Sequence, residues 1–380
     1  MKVQQRTWSE RVGWSSSEQW SLGKSAQLVM VFGRGDLLSG PEPMASIRAA
    51  HPFAQIVGCS TAGEICGTRV QDDSLVATAL AFDTTRVRAT EVEIAQAGGS
   101  EQAGATLAET LSADDLAHVL VFSDGLLVNG TELVKGLCGK LPAGVAVTGG
   151  LSADGARFEK TQVYFNGKVG SGRVVAIGLY GSRLRVGYSS LGGWDPFGPE
   201  RLVTKSKGNV LYELDGESAL EVYKRYLGPD AADLPASGLR FPLSVRSGPN
   251  DTGVVRTILA INEQDQSLTF AGDVPQGMYA RLMRTNFDRL IEGATDAGTS
   301  SRDALGPNAP EFAILISCVG RKLVLQQRTE EEVEGVRSSL GKLPVMAGFY
   351  SYGEISPFTT HGRSELHNQT MTITAFSEAA

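Results

Sequence analysis

One short pattern, used three times, restricts the folds open to this chain more than any other feature. Its copies are Gly58-Cys59-Ser60-Thr61-Ala62-Gly63-Glu64, Gly149-Gly150-Leu151-Ser152-Ala153-Asp154-Gly155 and Gly348-Phe349-Tyr350-Ser351-Tyr352-Gly353-Glu354. Each closes the same succession of strand, turn, helix and strand. In the first copy the buried run Ala26 to Phe32 leads through the glycine-rich Gly33 to Gly40 and the helical spacing of Met44, Ile47 and Ala50 to a second strand, Ala54 to Val57. In the second, Val119 to Phe122, a helix from Gly130 and Val145 to Val147 repeat the order; in the third, Phe312 to Val319, Glu330 to Leu340 and Val345 to Ala347 do so again. The landmarks Phe32, Phe122 and Ile316 stand at similar distances before the three leading glycines, so one unit used three times is the economical reading.

The copies are too few and too unevenly spaced for a solenoid. Alternating segments after the first two turns, Val76 to Phe82 with Val87 to Ile94 and Val163 to Phe165 with Val174 to Leu179, are expected to pair antiparallel. A turn at Asn166-Gly167 is expected to join the strands around it. The fold class is therefore α+β, with mixed sheets covered by helices. Between the second and third copies, Ser218 and Glu221 form a capping box that opens a helix ended by Gly228-Pro229. Val254 to Ile261 with Leu268 to Phe270 reads as a hairpin, and the Gly-, Ser-, Asp- and Pro-rich Thr295 to Pro310 as a mobile surface loop.

Composition narrows the function. Of 380 residues, 42% are hydrophobic and 20% charged, which excludes a disordered chain. A net charge of −7 without any Lys/Arg cluster argues against nucleic acid. No apolar run is long enough to span a membrane and the first residues lack a signal-peptide core, so a cytoplasmic location and no membrane contact are expected. Neither a P-loop nor a complete G-x-G-x-x-G is present.

The candidate ligand-binding residues gather in and around the turns: Ser60 and Thr61, Ser152, then Tyr350, Ser351, Tyr352 and Glu354, joined by His367, Asn368 and Gln369 before the last strand. Glycine turns followed by hydroxyls can offer N–H and O–H groups to a small ligand, and the third copy adds phenols and a carboxylate that a plain turn does not need. Among the histidines, His51 reads as a helix-end cap, His118 as a strand boundary and His361 as solvated, which leaves His367 as the ligand candidate and as a possible haem axial ligand. The four cysteines show no metal or disulfide spacing. Cys59 is the possible nucleophile of an alternative hydrolase- or transferase-like enzyme, although no G-x-S-x-G or H-E-x-x-H accompanies it.

Taken with LYELDGESALEVYKRYLG, GFYSYGEISP and LHNQT, the turns GCSTAGE and GGLSADG make the chain, from about residue 26 to 376, resemble the FIST family of bacterial sensory proteins. The resemblance implies a polar leader over 1–25, a FIST N-like region over 26–215 and a FIST C-like region over 216–380. It implies a non-enzymatic cytoplasmic sensor of a small ligand, either an amino-acid-like molecule or, in the nitric-oxide-sensing branch, b-type haem. With no output region of its own, such a sensor is expected to signal to a separate partner such as a histidine kinase. For haem, His367, Tyr350, Tyr352 and Cys59 are the available donors, none marked out by spacing.

Overall fold

In a computed structural model of the chain, residues 1–15, 19–249, 251, 253–357 and 362–379 are described. His361 lies outside them. Each of the three patterns caps a pair of parallel strands joined by a helix: Leu28–Gly33 with Gln55–Ser60, Leu116–Ser123 with Ala146–Leu151, and Phe312–Cys318 with Val345–Ser351. The connecting helices are Pro41–Ala50, Gly130–Lys140 and Thr329–Leu340. A later strand returns antiparallel beside the first of each pair: Leu75–Ala81, Arg173–Tyr180 and Met371–Glu378. Outside these lie Lys2–Ser9, Arg86–Glu93 and Leu184–Leu191. The unit is therefore real at the level of topology, and each copy owns a sheet.

The hairpin after each glycine turn does not stay in its own sheet. Strand Glu64–Cys66 of the first unit pairs with Val345–Ser351 of the third, Gly353–Pro357 of the third with Ala146–Leu151 of the second, and Val163–Phe165 of the second with Gln55–Ser60 of the first. The exchange closes into a ring. It also overturns the expected pairing of sequential strands, because Leu75–Ala81 and Arg86–Glu93 lie in different sheets and Val163–Phe165 pairs with Lys168–Gly170 rather than with Arg173–Tyr180. The Asn166-Gly167 turn forms with both residues at positive φ, 47° and 101°, as a two-residue hairpin requires. Alternation along a strand fixes which face is buried but not which sheet receives it.

The leading glycines are steric necessities. A Cβ on Gly58, Gly149 or Gly348 would stand 1.9, 1.9 or 1.8 Å from the carbonyl oxygen of Val31, Val121 or Leu315 on the neighbouring parallel strand. Next to them, the second residue of each pattern faces its landmark across the parallel ladder: Cys59 with Phe32, Gly150 with Phe122, Phe349 with Ile316. Phe32, Phe122 and Phe349 meet at ring-centroid distances of 4.7 to 6.0 Å, one from each sheet, at the centre of a shared core.

Between Leu184–Leu191 and the helix Phe287–Asp303 an inserted β-unit builds its own sheet from strands between residues 195 and 284, around its own core with Tyr223, Leu243 and Phe270. The capping box forms there, with Ser218 Oγ accepting from the Glu221 N–H at 3.3 Å, and the expected hairpin is Ile258–Asn262 with Ser267–Phe270. Residue 215 falls in the turn between strands Val210–Leu214 and Glu217–Ser218 of this sheet.

Two further expectations change. Lys2–Ser9, read as part of a polar leader, is a strand on Leu75–Ala81, its polar side chains half-exposed at the side of the sheet. Thr295 to Pro310 is not a loop over its first half: Phe287–Asp303 is one helix. Its small residues allow close approach to Thr329–Leu340, where a Cβ on Gly298 would stand 2.0 Å from Ser339 Oγ, so the composition that resembles a loop is that of a tight helix crossing. No described helix is long and apolar enough to cross a membrane.

Candidate functional site

The three turns converge and hydrogen-bond to one another in the order of the strand exchange. The N–H of the fifth residue of each pattern donates to the carbonyl of the third residue of another: Ala62 to Tyr350 at 2.8 Å, Ala153 to Ser60 at 2.9 Å, and Tyr352 to Leu151 at 3.2 Å. Backbone groups that could have met a ligand are thus spent on joining the units.

Side chains of the pattern serve the same purpose. Thr61 Oγ1 donates to Glu64 Oε1 at 2.5 Å and Ser351 Oγ to Glu354 Oε1 at 2.6 Å. The second oxygen of each carboxyl accepts from the residue that opens the returning strand, Ser74 in the first unit and Thr370 in the third, through both N–H and hydroxyl. In the second unit Asp124 takes over, its Oδ2 accepting from the Gly172 N–H at 2.9 Å. Burial pushes Glu64 up to about 7 and Glu354 up to about 8, outweighing the hydrogen bonds they receive. Glu354 and Ser351 are therefore a staple of the third unit, matched by Glu64 and Thr61 in the first.

The other predicted residues separate in the same way. Ser60 Oγ accepts from the Gln162 N–H at 2.9 Å, and Tyr350 donates to Glu332 at 2.6 Å from full burial. Ser152 is fully buried with no partner for its hydroxyl among the described residues. His367 is fully buried with Nε2 2.8 Å from the Ser356 carbonyl, and burial pushes its imidazole down to about 4. Cys59 lies in the shared core at 0% exposure and burial raises its thiol well above the ordinary range, which removes it as a nucleophile.

Two predicted residues, Tyr352 and Asn368, line a cavity of about 520 Å³ between the inserted β-unit and the three-unit core. Its core side has Phe158, Val319 and Leu323, and its insertion side Leu239, Ile258 and Ala271. None of its lining side chains among the described residues carries a charge at neutral pH. Asn368 is fully buried, and neither Oδ1 nor Nδ2 has a partner among the described residues; the same holds for Thr257 Oγ1, also on the lining. Gln369 Oε1, one residue on, is likewise without a partner. Buried polar atoms are paired in the great majority of cases, so this concentration sets the wall behind the cavity apart from the rest of the core.

At the lip, Phe158 stacks on Tyr352 with centroids 4.3 Å apart and planes 11° from parallel. Phe158 has φ of +57°, a costly conformation for a bulky residue. It is held by Asp154, which accepts from the N–H groups of Phe158, Glu159 and Lys160 and from the Tyr352 hydroxyl. Burial raises the Asp154 carboxyl, but these bonds leave it below its usual value.

Arg321 and Glu332 form a fully buried ion pair at 2.8 Å. Arg321 also donates to the carbonyls of Gly192, where the chain leaves for the insertion, Leu290, just after its return, and Gln369. Trp194 Nε1 donates to the same Gln369 carbonyl at 2.8 Å. Sequence reasoning missed Arg321, Glu332, Thr257 and Phe158. Glu332 had a signal, since it stands four residues before Val336 on the buried helix face; Thr257 had none. Among the described residues no group of three or more His, Cys, Asp or Glu side chains is placed to hold a metal ion.

Residues 27–217 match the FIST N domain and residues 219–357 the FIST C domain. Over 327 residues, 80% of this chain, it is 24% identical to an uncharacterized protein of Methanocaldococcus jannaschii, and it spans 60% of that protein's length.

Proposed function

Because this chain belongs to the FIST family, whose domains are sensory, we propose that it is a signal-transduction sensor whose small ligand sits in the cavity between insertion and core. The observation that carries the site is the cavity itself, about 520 Å³, walled by apolar side chains of both the insertion and the core. A ligand there touches both bodies, so it favours whichever relative arrangement of insertion and core fits it best. The change has a short path outward: Asn368 adjoins Gln369, whose carbonyl is gripped by Trp194 at the start of the insertion and by Arg321. The readout is a separate signalling protein, for which a histidine kinase is the candidate.

The cavity favours a neutral ligand. An amino-acid zwitterion would bring two charges to a lining that offers no countercharge, at a desolvation cost without compensation. The residues do not fit a haem. Of the four candidate donors only Tyr352 lines the cavity, and its hydroxyl is bound to Asp154; propionates would find no cation on the lining.

A thermal-shift screen of neutral and charged small molecules, run on wild type and on Leu323→Trp, tests the site. Leu323 is 40% exposed at the cavity mouth, so the larger ring fills the entrance without entering the core. Stabilising compounds are expected for wild type and should lose their effect in the variant. Hits that persist unchanged would place the ligand elsewhere.

A further inference from the structure

We infer that the ligand of this cavity is a lipophile, an uncharged molecule that turns hydrocarbon surface to the walls and is held by burial, with no hydrogen bond from a lining side chain. This deepens the proposed function and rests on its location of the ligand. The walls hide their polar atoms. Both carboxamide atoms of Asn368 and the hydroxyl of Thr257 keep almost no accessible surface, so an occupant cannot reach them. The Tyr352 hydroxyl is taken up by Asp154, to which it donates, and by the N–H groups of Asp154 and Phe158, from which it accepts. Cys318 adds only a buried thiol, a weak donor. What an occupant meets is the apolar surface of Leu239, Ile258, Ala271 and Val319, with the stacked Phe158 and Tyr352 rings to one side.

The mouth continues the same chemistry. Of the eleven large apolar side chains that stay exposed among the described residues, four border this one cavity: Leu126, Phe158, Leu259 and Leu323, each between 38% and 44% exposed. Leu126 and Phe158 come from the second unit, Leu259 from the insertion and Leu323 from the helix Val319–Leu325 of the third. Single exposed apolar residues are ordinary, whereas four gathered from three parts of the chain around one opening form a surface suited to an apolar molecule. Asp154 holds Phe158 there in its positive-φ conformation, so strain is tolerated to keep an aromatic ring at the lip. In such a site each methylene taken out of water strengthens binding about fourfold. A charged group would lose its water beside walls that return no countercharge. Selection is therefore by size and hydrocarbon surface, within a space of about 520 Å³, and not by functional group.

The test uses N-phenyl-1-naphthylamine, an uncharged fluorescent lipophile, bound to the intact chain and displaced by 1-octanol, its isomer heptyl methyl ether, 1-hexanol and octanoate. The probe is expected to bind saturably. Octanol and the ether should displace it within about threefold of each other, because no side chain receives the hydroxyl that the ether lacks. Hexanol should be about fifteenfold weaker than octanol, about fourfold for each methylene removed, and octanoate at least about tenfold weaker. Octanol exceeding the ether by more than about threefold, hexanol as tight as octanol, or octanoate within about tenfold of octanol would overturn the ligand class while leaving the cavity as the site. Probe and octanol binding that survive Leu323→Trp intact overturn the location itself. No saturable probe binding to wild type overturns the inference, and stabilising compounds whose effect Leu323→Trp abolishes would then still support the cavity.

Discussion

At the scale of single residues, the glycines and carboxylates of the repeated pattern are chosen by sterics and burial. Gly348→Ala should destabilise by about 1–3 kcal/mol or more, because its Cβ would lie 1.8 Å from the Leu315 carbonyl oxygen on a rigid neighbouring strand. Gly139→Ala, in the last turn of an exposed helix face with nothing near its Cβ, should instead stabilise by about 0.5–1 kcal/mol. Urea unfolding midpoints of the two variants check the contrast. The carboxyls of Glu64 and Glu354 hold their protons more tightly folded than unfolded. Their contribution is complete below the unfolded value of 4.5 and is lost as pH rises through about 7 and about 8. The double variant Glu64→Gln, Glu354→Gln should therefore show a flatter decline of urea stability between about pH 5 and 8 than wild type; equal slopes would contradict the assignment.

At the scale of elements, the hairpins passed between units make the core interdependent. A fragment of residues 1–93 would lack Val163–Phe165 at the side of its sheet and would expose Ile65, fully buried on the third sheet, so it should remain unfolded by circular dichroism. The inserted β-unit differs. Its strands pair with each other and enclose their own core, and residues 195–284 produced alone should unfold cooperatively on heating. A folded first fragment or an unfolded insertion would each show that the division of the chain is misassigned.

At the scale of the whole molecule, the Arg321–Glu332 pair ties the segment before the last strand to both ends of the insertion. Arg321→Met should cost about 3–5 kcal/mol by leaving the Glu332 carboxylate buried without its cation, and adding Glu332→Leu should recover only the part due to that charge, because the Gly192, Leu290 and Gln369 carbonyls and the Tyr350 hydroxyl each still lose a partner. A double-mutant cycle in urea measures the coupling. If the pair also transmits the ligand state, the double variant should bind ligand yet respond less to it, seen as a smaller ligand-dependent change in hydrogen exchange around Gly192 to Trp194.

The sequence by itself determined the α+β class, the threefold unit and the equivalence of its glycines, since periodicity and close backbone approach are local demands that leave a local imprint. Asn368 and Tyr352 were legible as polar and aromatic groups near the last turn. Their separation from Ser351, Glu354 and Ser60 was not, because a hydroxyl three residues before a carboxylate looks the same whether it faces a ligand or a staple. Only the tertiary structure decided that each hairpin crosses to another sheet, that Thr295–Asp303 is helical, and that the cavity draws half its wall from an insertion remote in sequence. Those outcomes depend on which faces meet in three dimensions, and the free energy of a shared core carries no marker in the order of the residues that build it.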